Sequence, residues 1–159
     1  MTARDHLLMT LAPVALGTRV VVSGCGDGAL AADLDRLGLD VWACDPDPDA
    51  VEALRERSGS EYPHARYTAA SPSALGYPDE FAAWGALDLE RAGEEPAEAV
   101  AELSRTVAFG GWIWVRTPGS VDDLMGLELP VGVVPAEAPR DVQDGAVVVF
   151  RRVDADVVA

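Results

Sequence analysis

The chain has 159 residues, of which 49% are apolar, and its 27 acidic residues outnumber 12 basic ones to give a formal net charge of −15. A chain of this length is expected to form one domain that buries roughly 68–70% of its unfolded surface. The charge argues against DNA or RNA as a partner, because a strongly negative surface repels polyanions, and no apolar stretch reaches the roughly 18 residues that cross a membrane.

The N-terminal segment, residues 1–16, is predicted to hold a short helix that covers the sheet. Thr2 and Asp5 have the spacing of a capping box, and Pro13 ends the helix. Three leucines form its apolar face: Leu7, Leu8 and Leu11. We expect His6 to be an exposed residue of this helix, with a catalytic base in a lid over a ligand as the alternative.

The cellular location is inferred from the N-terminus and the cysteines. Residues 7–17 are similar to the apolar core of a signal peptide, but Asp5 precedes them and Pro13 interrupts them. A cytoplasmic protein is therefore predicted. Cys25 and Cys44 do not form a CxxC pair, which favours reduced cysteines. With two histidines and no cysteine cluster, we expect no metal site.

A glycine-rich turn between two predicted strands is the central motif of the sequence. Val20–Val22 form the first strand, the turn Gly24-Cys25-Gly26-Asp27-Gly28 leads into a helix, and the second strand ends at Asp45. This order of elements is used to hold an adenosine-containing cofactor. Glycines let the backbone approach the ligand, and the helix N-terminus attracts its anionic part. The acid accepts hydrogen bonds from two ribose hydroxyls.

Strands and helices alternate along the rest of the chain. One helix begins at Asp47 and Pro48, another begins at Glu95, and a short helix is capped by Ser120 and Asp123. Further strands are predicted at residues 65–69, 81–87, 112–115, 130–134 and 145–153.

This alternation predicts an α/β fold: a three-layer, Rossmann-like sheet of about seven strands, mostly parallel and joined by right-handed crossovers. The Gly110-Gly111 pair is expected to turn the chain into the fifth strand. The last two strands have no helix-length connection, so we expect an antiparallel C-terminal hairpin at one edge. In this organisation residues 18–118 form the cofactor-binding core, and residues 119–153 add a short helix and the hairpin.

Four segments support a more specific interpretation: VVSGCGDG, VWACDPDPDAVEAL, residues 71–87 with YPDEF, and EEPAEAVAELSRTVAFGGWIWVRTPG. In this order and spacing they resemble the motifs of class I S-adenosylmethionine-dependent methyltransferases, particularly the small ubiE-like group. The resemblance covers roughly residues 18–118 and implies S-adenosylmethionine as the cofactor. It places ten residues at the cofactor: Gly24, Cys25, Gly26, Gly28, Asp45, Pro46, Ser71, Pro72, Ala86 and Leu87.

Three positions depart from acids that are usual in that family. They are Val22, two residues before the first glycine, Ser71 in the adenine-side loop, and Ala82 in the fourth strand. These departures favour an alternative, a non-catalytic member of the fold that binds the cofactor weakly or acts as a partner module. An NAD(P)-binding domain is a third hypothesis, because the glycine turn also fits GxGxxG/A. However, no substrate domain follows it.

The predicted reaction is methyl transfer to a small-molecule acceptor. No NPPY-type or DPPY-type motif follows the fourth strand, so methylation of nucleic-acid bases or of glutamine has no support. Asp88, Glu90 and Arg91 lie just beyond that strand, either as acceptor-binding groups or as a solvated loop. No catalytic residue is assigned. Since little chain remains for an acceptor-binding cap, either a partner or second subunit completes the site or the acceptor is small and loosely held.

Overall fold

The computed structural model describes residues 1–58 and 66–158. Its strands are β1 (Arg19–Ser23), β2 (Asp40–Asp45), β3 (Arg66–Ala69), β4 (Ala82–Asp88), β5 (Val107–Thr117), β6 (Val133–Pro135), β7 (Arg140–Val142) and β8 (Gly145–Arg152). Its helices are α1 (Ala3–Leu11), α2 (Ala29–Arg36), α3 (Pro48–Ser58), α4 (Pro96–Thr106), α5 (Val121–Met125) and α6 (Ala155–Val158), with a 3₁₀ helix at Leu89–Arg91. The predicted start of the third strand at Ala65 lies outside the described residues. In those residues, no helix is both long enough and apolar enough to cross a membrane.

The strands form one sheet in the order β3-β2-β1-β4-β5-β8-β6, and β7 also pairs with β8. The first five strands run parallel to one another. β8 runs antiparallel to β5, β6 and β7. This arrangement confirms the predicted α/β fold with a mostly parallel sheet and an antiparallel C-terminal hairpin.

One strand, β7, was not predicted from the sequence. It pairs with β8 through Arg140, Asp141 and Val142, and residues 143–144 form the tight turn between the two strands. Two charged residues in a segment of three hide the apolar pattern by which strands are recognised. The described part of the chain therefore holds eight strands, where the sequence indicated about seven.

Helices cover both faces of the sheet, because side chains of a buried strand alternate between two apolar layers. Val20 and Val22 of β1 pack in a cluster with residues of α1, α2 and α3. Val21, between them, belongs to the opposite cluster, which includes residues of α4 and α5. All three valines are buried. This is the predicted three-layer arrangement.

α1 is capped as the sequence predicted, but its histidine is buried. The Asp5 backbone N–H donates to Thr2 Oγ1 over 3.1 Å, and the Thr2 N–H donates to the Asp5 carboxylate over 3.1 Å. The expectation that His6 is exposed was wrong, since only 6% of it is accessible. Trp114 Nε1 donates to His6 Nδ1 over 3.1 Å, and this bond satisfies two buried polar groups at once. Burial lowers the pKa of His6, so the imidazole is neutral at pH 7.

The Gly110-Gly111 pair lies inside β5 and does not precede it. Val107 already pairs with Ala82, and the next pair is Trp112 with Trp84, so residues 108–111 bulge out from the ladder. A Cβ atom on Gly111 would stand 2.6 Å from the Ala83 carbonyl oxygen. The bulge thus needs a glycine at position 111, and it displaces the start of the strand from where the sequence placed it.

Candidate functional site

A cleft of about 560 Å³ opens at the carboxyl ends of β1, β4 and β5. β1 and β4 are neighbours from which the strand order runs in opposite directions, so the cleft lies at the topological switch point of the sheet. Ligands of open α/β sheets bind at such points. The floor is formed by Val22, Ala86 and Trp114, which lie side by side on three adjacent strands.

The roof of the cleft is formed by residues from near the N-terminus and from the C-terminal part of the chain. Ala3 and Arg4 of α1 line the cleft together with Asp144 of the β7–β8 turn. The Ala3 backbone N–H donates to Asp144 Oδ1 over 2.7 Å, and the Gln143 N–H donates to the Met1 carbonyl over 2.9 Å. α1 is therefore held over the cleft at its N-terminus by the turn and further along by the bond between His6 and Trp114.

The glycine turn forms one wall, and its backbone requires glycine. Gly24, Gly26 and Gly28 have φ angles of 80°, 53° and 80°, a region that side-chain-bearing residues rarely adopt. The N–H groups of Gly24 and Cys25 both donate to the Cys44 carbonyl over 2.9 Å, which ties the turn to β2. A Cβ on Gly28 would stand 2.5 Å from Leu54 Cδ2, so this glycine also lets α2 and α3 pack closely.

Asp45, at the end of β2, is completely buried and fully hydrogen-bonded. Arg91 donates to it twice, from Nε to Oδ1 over 2.6 Å and from Nη2 to Oδ2 over 2.8 Å. The Gly26 N–H donates to Oδ1 over 3.0 Å, and the Asp47 N–H donates to Oδ2 over 3.2 Å. Burial alone would raise the pKa of Asp45, but Arg91 and the two backbone N–H groups together hold that pKa below its ordinary value. The carboxylate is therefore ionised and paired.

The residues predicted to hold the cofactor are only partly brought together. Four of them line the cleft: Gly24, Cys25, Gly26 and Ala86. Gly28 stands at the start of α2, and Asp45 lies behind the Arg91 side chain. Pro46 is exposed beside it.

Ser71, Pro72 and Leu87 lie away from the cleft lining. Ser71 is exposed, and its hydroxyl lies 2.9 Å from that of Ser73 within the same turn. Pro72 is buried. Leu87 is fully buried in the opposite apolar layer from Ala86, since neighbouring residues of a strand face opposite sides of the sheet.

Arg116 of β5 is a cleft residue that sequence reasoning missed. Its Nη1 donates to Glu90 Oε2 over 2.6 Å and to Asp88 Oδ1 over 3.1 Å, and its Nη2 donates to the Asp144 carbonyl over 2.6 Å. The signal that could have found it is a basic residue near the carboxyl end of the fifth strand, two residues beyond Trp114. Asp88 and Glu90, predicted as acceptor-binding candidates, thus hold this arginine in place.

Two buried polar atoms at the cleft have no hydrogen-bond partner within the described part of the chain. They are Ser23 Oγ and Arg116 Nε, and both residues line the cleft. An unpaired buried polar atom costs about 1–3 kcal/mol. A polar ligand group that reached them would recover this cost.

Neither cysteine has the character of a nucleophile. Both are free and buried. Burial, followed by the nearby Asp45 carboxylate, raises the pKa of Cys25 to about 12, so its thiol stays protonated. Cys44 Sγ lies 2.9 Å from the Tyr77 hydroxyl. Among residues 1–58 and 66–158, no three His, Cys, Asp or Glu side chains are grouped to hold a metal ion.

Comparison with protein families gives the identity of the domain. A sequence model of the family described as "Methyltransferase domain" matches residues 20–111, which is more than half of the chain. The chain belongs to the methyltransferase domain family. The match includes the glycine turn, Asp45, Arg91 and most of the predicted core, and it confirms the family to which the sequence motifs pointed. None of the curated proteins matches the sequence significantly.

Solved methyltransferase structures share the fold at low sequence identity. An S-adenosylmethionine-dependent methyltransferase from Aquifex aeolicus is 14% identical with a TM-score of 0.78, over 95% of this chain and 89% of that chain. A TehB-like S-adenosylmethionine-dependent methyltransferase from Corynebacterium glutamicum is 19% identical with a TM-score of 0.72, over 96% and 88%. A chain from the complex of the Haloferax volcanii Trm112 methyltransferase activator with a candidate methyltransferase is 13% identical with a TM-score of 0.77, over 96% and 89%. At these identities, the likeness concerns the fold.

Proposed function

We propose that this methyltransferase-domain protein binds S-adenosylmethionine in the cleft above the glycine turn and transfers its methyl group to a small-molecule acceptor. The observation that carries the proposal is the position of the cleft, at the switch point of the sheet and against a turn of three positive-φ glycines. The solved S-adenosylmethionine-dependent enzymes with the same fold support this choice of cofactor.

The cleft offers polar donors, and not the usual acid, to the methionine part of the cofactor. Val22, at the usual acid position, contributes only apolar surface to the floor. Ser23 Oγ and Arg116 Nε, the two buried cleft atoms that lack a partner in the described residues, are instead donors of the type that a carboxylate needs. We therefore assign the methionine end of the cofactor to the part of the cleft between the glycine turn and Arg116.

Methyl transfer does not require the protein to activate the methyl group, because the sulfonium methyl carbon is already electrophilic. The protein has to align an acceptor nucleophile with that carbon and exclude water. The short roof of α1 and the β7–β8 turn supplies cover for a compact acceptor. A cleft of about 560 Å³ must hold parts of both substrates, and this volume favours a small acceptor over a macromolecular one.

Binding and transfer are tested separately. Isothermal titration calorimetry with S-adenosylmethionine, S-adenosylhomocysteine and NADH should show binding of the first two only. S-adenosylmethionine labelled in its methyl group is then incubated with a cell extract, with and without the protein. A labelled small molecule that chromatography separates from the unreacted cofactor is expected only when the protein is present. A protein-dependent gain of label in precipitated protein or nucleic acid would contradict the small-molecule acceptor.

A second candidate function is a non-catalytic domain that binds the cofactor weakly or serves as a partner module. The observation that favours it is the complete pairing of Asp45, which leaves the predicted ribose ligand engaged within the protein. Cofactor binding at millimolar strength with no transfer to any fraction would support this candidate. We further propose that a second subunit or a partner protein completes the acceptor site. The Haloferax volcanii chain with this fold, which is in complex with a methyltransferase activator, supports this proposal.

A further inference from the structure

We propose that Arg91 is an intramolecular competitor of the cofactor, whose guanidinium takes the place of the ribose hydroxyls on Asp45 and must leave before the cofactor binds. This inference rests on the proposed function, because it concerns the same site. It names the residue that sets the affinity for the cofactor.

The first argument is the hydrogen-bonding capacity of Asp45. A carboxylate offers about four lone-pair positions, and all four are used by the Arg91 guanidinium and by the N–H groups of Gly26 and Asp47. The two backbone bonds fix the carboxylate on the turn. The two that a pair of ribose hydroxyls would make are made by Arg91.

The second argument is the path of the Arg91 side chain across the glycine turn. An added Cβ on Gly24 would lie 3.1 Å from Arg91 Cβ, and one on Gly26 would lie 3.3 Å from Arg91 Cδ. The surface that glycines keep open for the approach of a ligand is thus covered by an arginine of the same chain. A ligand that reaches from the cleft to Asp45 has to displace this side chain.

The third argument is that the Arg91 side chain can move away from Asp45 into solvent. Its side chain is 37% exposed, whereas Asp45 is 0% exposed. It extends from the last residue of a single 3₁₀ turn, and Asp27 lines the same cleft as an alternative carboxylate partner. Rotation of the side chain toward solvent therefore exposes Asp45 without moving a strand or a helix.

The test is calorimetric titration of S-adenosylhomocysteine into the full chain and two variants. Arg91→Ala is expected to bind at least about tenfold more tightly than the parent protein, because the cofactor no longer has to displace two charge-assisted hydrogen bonds from Asp45. Arg105→Ala is the matched control. Arg105 makes a similar two-bond pair with Glu102, over 2.7 and 3.0 Å, away from the cleft, and its removal is expected to leave the affinity unchanged.

The outcomes separate the two proposals. Binding to the parent protein with equal or weaker binding to Arg91→Ala would overturn the inference and leave the proposed function standing. Absence of binding to all variants would overturn both. If Arg91→Ala does not fold, as judged by circular dichroism, Arg91→Gln decides, since it keeps the side-chain length and loses the charged two-bond pair.

A second readout checks that the gain comes from the ribose hydroxyls. Adenosine and 2′,3′-dideoxyadenosine are titrated into the parent protein and Arg91→Ala, with binding followed by NMR chemical shifts. Tighter binding of adenosine alone is expected. An equal gain for both nucleosides would overturn the inference, because it would indicate a generally wider cleft and not a released carboxylate.

Discussion

At the scale of single residues, the Arg91–Asp45 pair joins a fully buried carboxylate to a partly exposed guanidinium through two short hydrogen bonds. The aspartate is ionised, buried and held by four hydrogen bonds, while its partner is partly solvated. Such a pair is sensitive to the removal of the buried member, since the groups left behind lose partners that water cannot fully replace.

We predict that Asp45→Ala destabilises the protein by about 2–4 kcal/mol, because it leaves the N–H groups of Gly26 and Asp47 and the Arg91 guanidinium unpaired. Urea denaturation measures the change. The control is Asp79→Ala, which removes an exposed partner of Arg105 and should cost less than about 0.5 kcal/mol. Equal losses in both variants would contradict the role given to Asp45.

The pH dependence of the same pair has a defined sign. The folded pKa of Asp45 is lowered, so its contribution to stability is full above the ordinary carboxyl pKa and is lost as the pH falls through the folded value. We predict that the difference in unfolding free energy between the parent protein and Asp45→Asn is constant near neutral pH. It should shrink below about pH 4, as followed by urea denaturation; a difference that grows in acid would refute the assignment.

The contact between Arg91 and Asp45 could not be predicted from the sequence. The two residues are 46 positions apart, and the motif assigns Asp45 to a ligand and Arg91 to a loop. A side-chain pairing of this kind depends on how two strand ends meet, which local patterns do not encode. The glycines were predictable because the three positive-φ positions leave a sequence signature.

At the scale of elements, a buried hydrogen bond joins α1 to the sheet, in addition to the apolar packing of Leu7 and Leu11. His6 accepts from Trp114, and its surroundings also include Arg140 and Glu137. Burial, followed by Arg140, lowers the pKa of His6, whereas Glu137 opposes that shift. The helix is thus attached best while the imidazole is neutral.

We predict that, because of His6, the free energy of unfolding falls as the pH drops below about 6.5, the ordinary pKa of histidine. In this range the imidazole is protonated in the unfolded chain but stays neutral in the folded protein. The contribution is complete above that pH and is lost as the pH falls toward the lowered folded pKa. Thermal unfolding between pH 7.5 and 5 should have a smaller slope against pH in His6→Asn than in the parent protein. Identical slopes would show that the imidazole does not titrate differently on folding.

The bulge in β5 provides a prediction with an adjacent control. Gly111→Ala places a Cβ 2.6 Å from the Ala83 oxygen and from Val107 Cγ1, so we expect a loss of about 2–3 kcal/mol from overpacking. Gly110→Ala meets no atom within 4 Å and bears only the cost of its positive φ, about 1 kcal/mol. Chemical denaturation compares the two; a larger loss at Gly110 would place the constraint in the backbone angle.

Most elements were predictable because their signals are local. The capping boxes of α1 and α5, the Pro at the start of α4 and the valine run of β1 are all short-range patterns. The bulge and β7 were not, since each is defined by its partner strand and not by its own residues. The burial of His6 likewise depends on Trp114, which lies 108 positions away.

At the scale of the whole molecule, the net charge of −15 is expected to lower the stability of the folded state. Like charges on a compact surface repel one another, and salt screens this repulsion over about 10 Å at 0.1 M. We predict that raising NaCl from 0.05 to 0.5 M increases the melting temperature by about 2–5 °C. A decrease measured by differential scanning calorimetry would mean that paired surface charges outweigh the excess of acid.

The position of Trp114 gives the protein a built-in optical signal. Trp42, Trp84 and Trp112 do not line the cleft, whereas the Trp114 indole lies in its floor and is bonded to the helix above it. Indole emission responds to the polarity around the ring and to a nearby imidazole. A label-free fluorescence titration, with Trp114→Phe as the blank, would therefore report the arrival of a ligand in the cleft.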